Sequence, residues 1–119
     1  MFSNTFEPLT TAVFYILLSL SIKEKHGYEI MKEVHDTSKG KVKLGPGTLY
    51  GTIKRMLEEE LIKEVKKSDD ETERRKYYKL TPQGEKMLST ELKRFTDALE
   101  AAKKSSLNIS LLKSHIYSF

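Results

Sequence analysis

The run Leu44-Gly45-Pro46-Gly47-Thr48-Leu49-Tyr50-Gly51-Thr52-Ile53-Lys54-Arg55-Met56-Leu57 reads as a helix with two unlike faces. Pro46 suits the first helical position, where the missing N–H would go unbonded anyway, and the pattern runs out near Glu60. At about 100° per residue, Leu49, Ile53, Met56 and Leu57 form one narrow apolar stripe that must face a core. The opposite face carries Gly47, Thr48, Gly51, Lys54, Arg55 and Glu58. A glycine inside a helix costs about 1 kcal/mol relative to alanine, so two of them on the solvent side require a reason. Close approach of a foreign backbone is such a reason. A helix entering the major groove of DNA needs a slim first half, hydrogen-bonding groups for base edges and cations for phosphates. Gly47, Thr48 and Gly51 supply the first two, Lys54 and Arg55 the third, and Tyr50 lies at the flank within reach of a phosphate. The plainer reading is an amphipathic helix whose Lys54 and Arg55 pair with Glu58 and Glu59. Such pairing is common, so the charges by themselves favour that reading; the paired glycines favour nucleic acid.

Working outward, the preceding segments predict two more helices. Thr10 or Thr11 caps a helix to Ile22 whose apolar residues, Phe14 and Leu17 among them, cover nearly the whole circumference. A small domain rarely encloses such a helix, so a second chain is its expected cover. The next helix runs from His26 or Gly27 to Thr37 with Gly40 as its stop, and Lys41 to Leu44 alternates as a very short strand would. His26, at a helix start, suits capping or packing better than general-base work.

Downstream, Leu61 to Lys67 and Lys76 to Leu80 read as strands joined by the polar loop Ser68 to Arg75. The loop tip holds Asp69, Asp70, Glu71 and Glu73, which phosphates repel, so Arg74, Arg75 and Lys76 on its return are the wing's candidate backbone contacts. Tyr77 and Tyr78 point to opposite faces of a strand, one into the core and one outward. A base-stacking role for the outer tyrosine is the sharper reading, partial burial the plainer one. Thr81-Pro82 opens a last long helix in which Leu88, Leu92, Phe95, Leu99 and Ala102 are spaced 4, 3, 4, 3. That stripe fits a partner helix and a face laid on its own domain equally well. The expected architecture is mainly α with a small β-hairpin: a winged helix-turn-helix over residues 1–80, then a C-terminal dimerisation helix and apolar tail over 81–119.

Composition narrows the function classes. The chain of 119 residues is 38% hydrophobic and 32% charged, too apolar for a disordered protein and too charged for a membrane one. Its net charge of +4 permits a polyanionic partner, and the middle third, residues 39–79, carries 12 basic against 8 acidic residues. Cysteine is absent, and His26, His35 and His115 stand at no metal-ligand spacing, so neither metal nor cofactor is expected. The apolar run Ala12 to Ile22 is shorter than the roughly 20 residues a bilayer requires. No cation precedes it, as a secretory signal would demand, so a cytoplasmic protein is expected. With no phosphate loop, nucleophile elbow or HExxH motif, the chain does not read as an enzyme.

His26-Gly27-Tyr28-Glu29-Ile30, Leu44 to Tyr50, Leu61-Ile62, Arg74 to Thr81 and Gly84, in that order and spacing, resemble the PadR family of transcriptional regulators over about residues 9 to 95. The resemblance implies a winged helix-turn-helix homodimer, held by the first and last helices, that represses genes with inverted-repeat operators. It implies contacts with double-stranded DNA from Thr48, Tyr50, Lys54 and Arg55 beside the slim Gly51, and from Arg74, Arg75 and Lys76 in the wing. Dimer contacts would come from Phe14, Leu17, Leu88, Leu92, Phe95 and Leu99. The chain is similar to the short members of the family, some of which bind flat aromatic molecules between subunits through tryptophans. It has no tryptophan, so a small hydrophobic, aromatic effector would rest on Phe14, Tyr15 and Phe95. The competing reading is a winged-helix protein-interaction module without DNA readout.

Overall fold

A computed structural model of the chain describes residues 9–66 and 75–105. The wing tip with Arg74, and the apolar tail from Leu107 to Phe119, lie outside the described residues. Along the chain come α1 (Thr11–Ile22), β1 (Lys25–His26), α2 (Gly27–Thr37), α3 (Pro46–Glu58), β2 (Ile62–Val65), β3 (Tyr77–Leu80) and α4 (Pro82–Lys103). The architecture is mainly helical with a small antiparallel sheet, as expected of a winged helix. No described helix is long and apolar enough to cross a membrane.

At α1, α2 and α4 a side chain answers the first unbonded N–H groups of the helix. The Thr10 hydroxyl accepts from the Val13 N–H at 3.3 Å, and α1 stops where Lys23 turns extended. His26 caps α2 in a reciprocal arrangement: its Nδ1 accepts from the Glu29 N–H, while Glu29 Oε1 accepts from the His26 N–H. Pro46 takes the first position of α3, and Pro82 that of α4 behind the Thr81 cap. The Thr81 hydroxyl also donates to the Glu60 carbonyl at 2.6 Å, tying α4 to the end of α3. Gly84 lies against the Leu61 carbonyl so closely that a Cβ would collide with backbone, and this contact seats α4 at the foot of the sheet.

The short strand does not lie where its alternation is found. Residues 41–44 form no strand; the Val42 N–H is taken at 2.9 Å by the Ser38 hydroxyl, and Leu44 turns into the core. The third strand is instead β1, between α1 and α2, giving the sheet order β1-β3-β2. Lys25 faces Tyr78 and His26 faces Tyr77 on one edge of β3, and Ile62 to Val65 pair with Leu80 to Tyr77 on the other.

One core joins the four helices: Val13, Ile16, Leu17 and Leu20 of α1 meet Ile30 and Val34 of α2, Leu49, Ile53 and Met56 of α3, and Leu88 of α4. The Thr52 hydroxyl enters this core and is satisfied by the Thr48 carbonyl at 2.7 Å. Lys25 is buried too, its ammonium donating to the Ser19 carbonyl near the end of α1. Burial lowers its pKa, with the nearby Glu33 carboxylate opposing the shift.

Candidate nucleic-acid interface

The core stripe of α3 fixes its outer face. With Leu49, Ile53 and Met56 buried and Leu57 half-buried, Gly47, Thr48, Gly51, Lys54 and Arg55 all stand exposed. A Cβ built on Gly47 or on Gly51 meets nothing within 4 Å. Among the described residues, packing therefore requires neither glycine. The helix forgoes the stability that alanine would confer there and keeps a smooth, open surface flanked by two cations. That is the shape a groove-entering helix needs.

Tyr50 occupies the flank between this face and α2. It is half-exposed, and its phenol lies across Gly27, where an ideal Cβ would stand 2.7 Å from Tyr50 Cζ. Gly27 is thus a close-approach glycine, in contrast to Gly47 and Gly51. Beyond Tyr50, a cleft of about 990 Å³ opens between α2 and the base of the wing. Arg75 and Lys76 reach it from the start of β3, and Tyr28, Lys23 and Lys32 from the other side. Arg75 Nη1 lies 3.5 Å from His26 Nε2, and the His26 ring stands edge-on to Tyr77, so the wing base is tied to the cap of α2. Tyr78 is the inward tyrosine of the pair; burial, aided by Glu64, raises its pKa.

Thr48, Gly51, Lys54 and Arg55 therefore share one face, Tyr50 borders it, and Arg75 and Lys76 lie across the cleft. Sequence reasoning missed Lys23, Tyr28 and Lys32 as neighbours of this surface. They lie within ten residues of one another, at the end of α1 and on α2, and it is the pairing of β1 with β3 that brings the wing base beside them.

The second surface of interest lies on α1 and α4. Phe14 packs edge-on against both Tyr15 and Phe95, each ring pair 5.2 Å apart. Phe95 is nevertheless 51% exposed and Leu92 39%, while Leu99 is half-buried. Leu17 and Leu88 are spent in the chain's own core, so the stripe on α4 divides: its first residue packs inward, and the next two remain uncovered. Glu91, also buried, accepts the Leu9 N–H at 3.2 Å and has Arg94 Nε at 3.7 Å, fastening the approach to α1 onto α4. Among the described residues no cluster of His, Cys, Asp and Glu could hold a metal ion.

The family model for PadR-like transcriptional regulators matches residues 16–90. A PadR family transcription regulator from Clostridium difficile is 29% identical in sequence, with a TM-score of 0.65 over 78% of this chain and 95% of that one. A transcriptional regulator from Clostridium thermocellum is 25% identical, with a TM-score of 0.64 over 81% and 90%. The fold is also that of Bacillus subtilis PadR solved in complex with operator DNA, at 22% identity and a TM-score of 0.63 over 72% of this chain and 48% of that one. With its motifs, its fold and the family model in agreement, the chain belongs to the PadR-like family of transcriptional regulators, which are not enzymes.

Proposed function

We propose that this regulator binds an inverted-repeat operator as a homodimer, inserting α3 of each subunit into the major groove and acting as a repressor. The observation that carries the reading is the open face of α3, where two glycines serve no packing purpose and are flanked by Thr48, Lys54 and Arg55. Lys54 and Arg55 meet phosphates or base edges, Thr48 offers a hydroxyl to a base, and the wing contributes Arg74, Arg75 and Lys76. Phe14, Leu92, Phe95 and Leu99 form the subunit contact, because Leu92 and Phe95 are large apolar groups that stay exposed among the described residues. Leu17 and Leu88 support that surface from within the core.

The aromatic group Phe14, Tyr15 and Phe95 sits where the two subunits would meet, and a flat hydrophobic effector stacking there would shift the spacing of the two α3 helices. The test is duplex binding by the purified protein across a range of salt. Affinity that falls steeply as salt rises supports DNA binding through phosphates. Salt-independent or undetectable binding would favour the protein-interaction module instead.

A further inference from the structure

The cleft beside α3 has a composition that packing does not explain. Five cations line it, from the α1–β1 junction, α2 and the wing base, against three carboxylates, Glu29, Glu33 and Asp36, all on α2. Each carboxylate has a partner of its own: Glu29 accepts the His26 N–H, Glu33 accepts the Thr37 hydroxyl, and Asp36 lies beside the His35 ring. Lys25 is spent on the Ser19 carbonyl. Lys23, Lys32 and Lys76 form no ion pair among the described residues, though they share one concavity with two exposed tyrosines, Tyr28 and Tyr50.

We propose that this cleft seats a backbone phosphate of the DNA strand bordering the groove that α3 enters, held by Lys23 and Lys32 with the Tyr28 and Tyr50 hydroxyls. The inference rests on the DNA-binding reading above and extends it to residues outside the recognition helix and wing. Its geometric basis is width. A helix with its side chains is about 10–12 Å across, and the major groove about 12 Å wide, so a seated helix fills the groove and its flanks meet the strand backbones. Tyr50 is the flank of α3 on the α2 side, and the cleft opens beside it.

The walls of this seat are fixed in advance. His26 and Tyr77 are paired across β1 and β3, Arg75 leans on the His26 ring, and the Tyr50 phenol rests on Gly27. Gly27 is accordingly a positioning residue: a side chain there would displace the Tyr50 ring from the cleft while leaving the backbone undisturbed.

The test uses the full chain and a duplex enriched by it from random sequence. In that duplex the phosphates flanking each half-site are replaced singly by neutral methylphosphonates. One flanking position per half-site should weaken binding by the wild type, and Lys23→Gln combined with Lys32→Gln should be indifferent to that same position. The double variant's salt slope should be shallower by about one unit, so that its deficit against wild type shrinks about fourfold between 50 and 200 mM salt. Gly27→Ala should lose sensitivity at the same phosphate with its melting temperature kept, a pairing that a merely structural glycine would not produce. Lys103→Gln, at the far end of α4, makes the same change in charge as one of these substitutions and should match wild type.

A double variant with the wild-type salt slope and methylphosphonate profile would overturn the assignment while leaving the DNA-binding reading intact. Saturable binding of pyrophosphate to the free protein, lost in the double variant while its duplex affinity is kept, would overturn it in favour of a free ligand. A wild-type protein that binds no duplex would overturn both readings together.

Discussion

Replacing Gly51 by leucine separates the two uses of α3. The position lies in the interior of a helix of 13 residues, is exposed, and offers open space to a Cβ, so the substitution meets no clash within the chain. Glycine is disfavoured in a helix interior by about 0.8–1.0 kcal/mol relative to alanine, and leucine is close to alanine, so the folded state should gain a little under 1 kcal/mol. For a domain of this size, that raises the melting temperature by about 4 °C. Against DNA the sign reverses. A leucine side chain on the groove-facing surface pushes the helix from the base edges that Thr48 and its neighbours reach. Loss of one such contact is worth about 1–3 kcal/mol, or roughly five- to 150-fold in affinity. Thermal melting and operator titration on the same preparation decide the matter. A melting temperature raised with affinity undiminished would mean that this face never enters the groove, and the reasoning from the glycines would fail.

Lys54→Ala should weaken binding to all duplexes alike and make the salt slope shallower by about one unit, measured by titration at several salt concentrations, if Lys54 meets a phosphate. Leu92→Glu with Phe95→Glu should leave each chain folded, since both side chains are exposed within it, yet abolish the dimer in sedimentation; a tight dimer in the double variant would move the subunit contact elsewhere. Tyr78→Phe should change the alkaline limb of stability. The folded pKa of Tyr78 is raised, so between its unfolded value near 10 and its folded value the unfolded chain binds fewer protons. Wild-type stability therefore falls as pH rises through that window, and the phenylalanine variant, melted at pH 8 to 11, should lose less.

Local chemistry made most of the fold legible. Thr10, Pro46, Thr81 and Pro82 announce helix starts through groups whose bonding is settled within a turn, and the structure places each in that role. The short strand was not legible, because the alternation at Lys41 to Leu44 reports only that Val42 and Leu44 turn inward. Whether such a segment pairs depends on which backbone lies along the edge of β3, and Lys25-His26 does so while the Ser38 hydroxyl takes the Val42 N–H. The recognition face could be read from one helix, since its two glycines and two cations lie within nine residues. The cleft beside it could not. Lys23, Lys32 and Lys76 are each unremarkable surface lysines in sequence, and their common environment is created by the turn from α1 into β1 and the return of the wing. The division of the α4 stripe was likewise hidden: spacing alone does not distinguish Leu88, which is buried in the core, from Leu92 and Phe95, which stay exposed among the described residues.

Selection of bound duplexes from a random-sequence pool by the purified protein decides whether two α3 helices read DNA together. Two-fold reading requires an enriched inverted repeat whose half-sites lie about 10 bp, or a multiple of that, from centre to centre. A pool that emerges without enrichment, or enriched in a single unrepeated site, would contradict it.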